Sequence, residues 1–272
     1  AMSSDGSILA VGAYNADTFT GSVRVYKLTG SSWNQLGNTL NGEKTYQEYG
    51  NTVSLSADGS VLAVGAPFAD NGFAYVYKWD GSNWNQMGST LEGEVSGSSF
   101  GQSTIISSDG TLLAVGSADF NNVGAAYVYK WNGSSWIQQG NRIDPSPSDN
   151  STHGTVDAFF GFALDFSSDG SILVIGQDGN SNDTGAVYTY KFDGSSWNQF
   201  GNVLKGPIAI GSFGWTVSLS SDGLILAVGA PAAYANSHEA DSRVYKFKLS
   251  GSNWIQDLRI ITDPTNQQTG QF

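Results

Sequence analysis

Short apolar runs alternate along the chain with turns rich in Gly, Asp, Asn and Ser. No stretch keeps an apolar period of 3.6 residues, so strands are expected and no substantial helix. The clearest run is Ser220-Ser221-Asp222-Gly223-Leu224-Ile225-Leu226-Ala227-Val228-Gly229-Ala230-Pro231. Close copies surround Asp5-Gly6, Asp58-Gly59, Asp109-Gly110 and Asp169-Gly170, at intervals of roughly 50 to 60 residues, the range in which propellers and solenoids repeat. Asp-Gly between two apolar runs signals a hairpin, because Gly takes the positive φ of the turn at little steric cost. In the unit that opens at Phe100, strand A is predicted over 100–107, the turn over 108–110, strand B over 111–116, a loop over 117–123, strand C over 124–130 and strand D over 135–143. Strand B is apolar without interruption, as expected of a strand covered on both faces. Strand C alternates β-branched and aromatic residues and ends in Tyr26-Lys27, Tyr77-Lys78, Tyr129-Lys130, Tyr190-Lys191 and Tyr245-Lys246. Strand D opens with Trp33, Trp84, Trp136, Trp197 and Trp254, each three residues after a Gly.

Four antiparallel strands in about 50 residues make a propeller blade. The five units, approximately 1–48, 49–99, 100–159, 160–212 and 213–272, are read as one domain. The chain ends in Gly270-Gln271-Phe272, similar to Gly211-Ser212-Phe213, and it begins at a match to the second half of strand A. The expected fold is therefore all-β, a five-bladed β-propeller of four-stranded antiparallel blades closed by juxtaposed termini. The alternative is a fragment of a larger ring.

Composition agrees with a sheet protein: 13% charged residues, 12% aromatic residues and 35 Gly. The absence of Cys excludes disulfides and thiolate chemistry. A net charge of −12 with only 12 Lys and Arg argues against nucleic acid and anionic membranes as partners. No apolar run is long enough for membrane insertion. No signal peptide is recognised, and the chain starts inside a repeat, as an excised segment would.

Two short motifs recur in register. Phe-Gly opens strand A at Phe100-Gly101, Phe160-Gly161 and Phe213-Gly214, and Gly-Ala-Pro closes strand B at Gly65-Ala66-Pro67 and Gly229-Ala230-Pro231. In these the chain resembles the FG-GAP repeats of integrin α-subunit propellers and their microbial relatives, across all five units. The resemblance implies a propeller, with seven blades in the integrin-like ring, and an extracellular or cell-surface adhesion role. The calcium loop of that family does not carry over, because a short Ser-x-Asp-Gly turn occupies its place. Asp80-Gly81-Ser82-Asn83-Trp84 is similar to the Asp box of sialidase-like propellers, a structural turn.

Antiparallel meanders place the A–B and C–D turns at one end of each unit and the B–C and D–A loops at the other. The turns are uniform and the loops vary, so recognition is expected at the loop end. Exposed-type aromatics there (Tyr14, Phe19, Tyr46, Phe68, Phe120, Tyr234) stand among Asp and Asn, a mixture that suits sugar or protein recognition. The predicted ligand-binding set is Tyr14, Asp17, Phe68, Asp70, Asp119, Phe120 and Tyr234. Asp178, Asn180 and Asn182 place oxygen ligands at alternate positions, as in the first half of a Ca²⁺ loop. His238, Glu239 and Asp241 form a weaker metal candidate, and His153 and Asp157 read as surface residues. Gly97-Ser98-Ser99-Phe100-Gly101 fits a nucleophile-elbow pattern without the strand–turn–helix context it needs. Arg24 and Arg243 are read as equivalent strand C positions. The expectation is a non-catalytic recognition or adhesion module for protein or glycan, a monomer or part of a larger chain. A carbohydrate-active hydrolase or lyase using loop carboxylates is the alternative, and a structural spacer the third reading.

Overall fold

A computed structural model describes residues 1–119, 121, 123–145, 159–178, 184–206, 212–231, 242–257 and 261–262. These residues form five antiparallel sheets. The first sheet holds β1 (Ile8–Ala13), β2 (Ser22–Thr29), β3 (Ser32–Gln35) and β4 (Leu40–Asn41). The second holds β5 (Thr52–Leu55), β6 (Val61–Ala66), β7 (Phe73–Trp79), β8 (Trp84–Gln86) and β9 (Leu91–Glu92). The third holds β10 (Phe100–Ile106), β11 (Leu112–Ser117), β12 (Ala125–Trp131) and β13 (Trp136–Gln138). The fourth holds β14 (Phe160–Phe166), β15 (Ile172–Gln177), β16 (Ala186–Phe192), β17 (Trp197–Gln199) and β18 (Leu204–Lys205). The fifth holds β19 (Thr216–Leu219), β20 (Ile225–Ala230), β21 (Arg243–Ser250), β22 (Asn253–Gln256) and β23 (Ile261–Thr262). The chain divides into two compact units, Ala1–Phe120 with Tyr127–Gln139, and Asn121–Ala126 with Gly140–Phe272. Among the described residues, the one stretch assigned as α-helix is Ala16–Phe19. Asp17 and Thr18 there lie in the left-handed region, so it is a turn.

The B-C-D order holds in every sheet and strand A precedes it in all but the first, where a single bridge from Met2 to Leu9 takes its place; two further expectations are corrected. Strand D does not run unbroken to residue 143. It stops after three or four residues, and a second short piece pairs further along strand C, as β9 does with Phe73 and Ala74. A Gly with positive φ, such as Gly88, stands between the two pieces and interrupts the extended strand. In the fifth sheet, Phe247 pairs with Gln256 as Tyr77 pairs with Gln86, so Phe247-Lys248 and not Tyr245-Lys246 takes the Tyr-Lys place. Arg24 pairs with Val11 and Arg243 with Ala230, two positions apart in the repeat, so the two arginines are not equivalent.

The recurring motifs have a steric cause. The aromatic that opens strand A is fully buried and packs edge-on against strand C of its own sheet: Tyr49 on Tyr75 and Phe100 on Tyr127 in the first unit, and Phe213 on Tyr245 in the second. Such pairs contribute roughly 0.5–1.5 kcal/mol beyond their buried area. The following Gly presents its carbonyl to strand B of the preceding sheet. A Cβ on Gly65 would lie 2.1 Å from the Gly101 carbonyl oxygen, and one on Gly176 would lie 2.2 Å from that of Gly214. Only Gly fits there, so Phe-Gly and Gly-Ala are the two sides of one junction between sheets.

The cores lie between sheets. Ile8, Ala10, Val23 and Val25 pack against Leu62, Val64 and Tyr75 in the first unit, and Ile172, Val174 and Val187 pack against Leu226 and Val228 in the second. Each fully buried large side chain stabilises by roughly 1.5–3 kcal/mol. The strand D tryptophans fasten the junctions: Trp84 Nε1 donates to Leu36 O at 3.1 Å and Trp136 Nε1 to Met87 O at 2.9 Å. Exposure along strand B differs between sheets. Val11 is 44% exposed where its equivalent Val64 is 0%, and Ile225 is 38% exposed where Ile172 is 9%.

Candidate functional site

In the first unit the uniform turns are joined to one another: Ser4 N donates to Ala57 O and Ala57 N to Ser108 O, both at 2.9 Å. The irregular loops are joined at the opposite end. Glu48 N donates to Phe19 O at 2.8 Å, Gly97 N to Asp70 O at 3.0 Å and Asp119 N to Ser98 O at 3.2 Å. In the second unit Ser168 N reaches Ser221 O at 3.1 Å at the turn end, and Phe213 N reaches Thr184 O at 3.2 Å at the loop end.

The chemistry-bearing groups of the first unit cluster on these linked loops. Lys44 forms an exposed ion pair with Asp70, and its Nζ sits 4.8 Å from the centre of the Phe73 ring. The Asp70 carboxylate holds the Lys44 ammonium above its usual range. Behind the pair, buried Gln47 organises the loop. Its Oε1 accepts the N–H groups of Glu43 at 2.9 Å and Lys44 at 3.2 Å, and its Nε2 donates to Tyr75 Oη at 2.6 Å. Burial pushes the Tyr75 hydroxyl up to about 12, so it stays protonated and completes the network. On the next loop the Ser99 hydroxyl donates to the Asp119 carboxylate. Asp70 and Ser99 both hold left-handed backbone, at φ 52° and 53°. Two carboxylates, one ammonium and one hydroxyl thus stand on loops tied directly to one another. Such a set can bind hydroxyl-rich ligands and take a proton from water.

Of the predicted binding residues, Tyr14 and Phe68 are exposed, and Asp17 lies in the left-handed turn before Gly21. Asp70 and Asp119 fall on adjoining loops. Phe120, Tyr234, Asn180 and Asn182 lie outside the described residues, as do His153, Asp157, His238, Glu239, Asp241 and Phe272. Asp178 is described and buried at the end of β15. Among the described residues no three His, Asp or Glu gather into a metal site. The nucleophile-elbow pattern places Ser99 beside Asp119 and runs on into β10, so the elbow does not form. The sequence alone does not mark Lys44, Gln47 and Ser99 as ligand-binding residues, because their roles depend on which loops meet. A cavity of about 350 Å³ on the fifth sheet is lined by Lys248, Leu249, Ser250, Ile255, Gln256 and Asp257, at the turn end and away from the irregular loops.

No family model matches the sequence and no curated protein does. Solved structures match over almost the whole chain. Pseudomonas aeruginosa periplasmic gluconolactonase PpgL aligns at 19% identity with a TM-score of 0.67, over 96% of this chain and 68% of its own. A protein from Bacteroides uniformis named as a candidate 6-phosphogluconolactonase aligns at 13% identity and 0.65, over 94% and 68%. TolB from Acinetobacter baumannii aligns at 12% and 0.54, over 93% and 55%. At these identities the match shows the fold alone, which is of the β-propeller type. Two expectations are corrected. The integrin FG-GAP assignment does not stand, since the chain is similar to lactonase-like and TolB-like propellers and its Phe-Gly and Gly-Ala motifs follow from junction sterics. The expectation of a non-catalytic protein does not stand either, because proteins named as lactonases share this fold over nearly all of the chain. No helix among the described residues is long and apolar enough to cross a membrane.

Proposed function

We propose that the chain is a hydrolase of sugar-derived lactones, working at the loop end of the first unit. The observation that carries this reading is the alignment over 94–96% of the chain with two proteins named for gluconolactone chemistry. The linked Lys44–Asp70 and Ser99–Asp119 pairs supply groups such a reaction can use. Water adds to the lactone carbonyl while a carboxylate, Asp70 or Asp119, takes its proton. The ring C–O bond then breaks, and that proton goes to the departing ring oxygen, leaving an open hydroxy acid. Lys44 stands where it can meet the developing oxyanion.

Charge selects the substrate. Among the described residues of these loops Lys44 is the one cation, and Asp70 already neutralises it. A phosphate would need more positive charge, so the uncharged lactone is favoured over its phosphate ester. The periplasmic neighbour supports export. The chain spans 67–69% of the length of the first solved structures it matches.

The test is the rate of glucono-1,5-lactone opening in a pH-stat at pH 6.5, against spontaneous hydrolysis and against the 6-phosphate. Saturable acceleration of the neutral lactone, exceeding that of the phosphate, is expected. Absence of acceleration on any neutral aldonolactone would remove the proposal.

A further inference from the structure

Two large aromatic side chains at the loop end are exposed and face each other across two loops. Phe19 is 42% exposed and Tyr46 61% exposed. Their rings lie nearly parallel, at 20°, with centroids 6.1 Å apart. That separation lies within the range of aromatic pairs, and the exposure of both residues leaves ring surface open to solvent.

Both residues are held at a cost. Phe19 has φ 59° and Tyr46 φ 60°, and Asp17, Thr18 and Glu48 around them are also left-handed. Bulky residues are rarely found there, and each costs on the order of 1–2 kcal/mol. The repeat shows what the fold itself needs. In the next loop, Gly93 N donates to Gly72 O as Gly42 N donates to Gly21 O, and Ser98 N donates to Val95 O as Gln47 N donates to Lys44 O. Gly97 therefore stands where Tyr46 stands, with φ 73°. The fold asks for glycine and the loop of residues 42–48 carries an exposed tyrosine instead.

Hydrogen bonds within the chain hold the platform. Glu48 N bonded to Phe19 O locks the two loops together, and buried Gln47 anchors the loop that carries Tyr46. Strain kept at an exposed, preorganised position marks a binding feature.

We infer that Phe19 and Tyr46 form a stacking platform for a neutral sugar ring. An open aromatic face matches the apolar C–H face of a pyranose. Asp17, Glu43 and Glu48 alongside offer acceptors for hydroxyl groups and repel phosphate and nucleic acid. The platform needs no turnover, so it stands apart from the lactonase reading and deepens it only if both hold, as a site for the sugar portion of a larger substrate.

The experiment is affinity electrophoresis of the whole chain in gels containing hydroxyethylcellulose, xyloglucan, galactomannan or laminarin. At least one should retard the protein. Tyr46→Gly should weaken that binding about tenfold or more, from the loss of one stacking face. The same variant should keep or raise the unfolding temperature, because glycine suits the left-handed backbone. Tyr46→Leu, which keeps the strain and the apolar bulk but loses the flat ring, should weaken binding too. Retardation by none of the four, retardation unchanged in Tyr46→Gly, a lowered unfolding temperature in that variant, or Tyr46-dependent capture of a proline-rich decapeptide in place of the polysaccharides would each overturn the inference. Asp70→Asn and Asp119→Asn should still bind, so failure of the platform and failure of the lactonase reading are told apart.

Discussion

Asp165 Oδ2 accepts the backbone N–H of Leu219 at 2.7 Å, across the junction between β14 and β19. In the first unit Ser54 Oγ accepts the Ile106 N–H at 3.1 Å, at the same place in the repeat. Strand A is the edge of the second to fifth sheets, and its free N–H groups are a hazard unless something covers them. Here a side chain from the preceding sheet does so.

The carboxylate version of this clamp is pH-sensitive. Burial pushes Asp165 up to about 6 in spite of the N–H groups of Leu219 and Phe166. The folded state therefore binds the proton more tightly than the unfolded chain does. The stability this adds is complete below the ordinary aspartate range and is lost as pH rises to about 6. Asp165→Asn should remove that dependence. Relative to the native chain it should gain up to about 3 kcal/mol between pH 4 and pH 7. Urea unfolding of both proteins at the two pH values measures the difference, and a constant difference would contradict the assignment.

Gly65→Ala should cost about 3 kcal/mol or more, because its Cβ would meet the Gly101 carbonyl oxygen at 2.1 Å, a backbone atom that cannot move alone. Thermal unfolding of the variant reads this out. A loss under about 1 kcal/mol would mean that the junction is looser than described.

The tryptophans offer an internal control. Trp84→Phe removes the bond to Leu36 O and should cost about 1 kcal/mol or somewhat more. Trp33 is exposed in the first sheet, so Trp33→Phe should stay within about 0.5 kcal/mol. Equal losses would show that Trp33 is covered too.

Much of the fold was legible from residue order. The Asp-Gly turns, the apolar strand B and the Trp that opens strand D each follow from local chemistry that repeats five times. The Asp box behaves as read: Asp80 Oδ1 accepts the N–H groups of Ser82 and Asn83 at 2.7 and 2.8 Å. What misled was Phe-Gly with Gly-Ala. Close packing of sheets demands these residues wherever such a junction occurs, so they reported a steric need and not a lineage. The site was only half legible. Asp70 and Asp119 were chosen as loop carboxylates, but Lys44 and Gln47 acquire roles only when 42–48 folds against 67–72. The shift in β21 was hidden because Tyr245-Lys246 and Phe247-Lys248 are both aromatic-Lys pairs, and only strand pairing distinguishes them.

The most direct test of the account is lactone turnover by three proteins: the native chain, Asp70→Asn and Asp119→Asn. Saturable opening of glucono-1,5-lactone is expected from the native chain, with kcat lowered about 10²-fold or more in at least one amide variant. Equal rates in all three, or no rate above spontaneous opening, would contradict it.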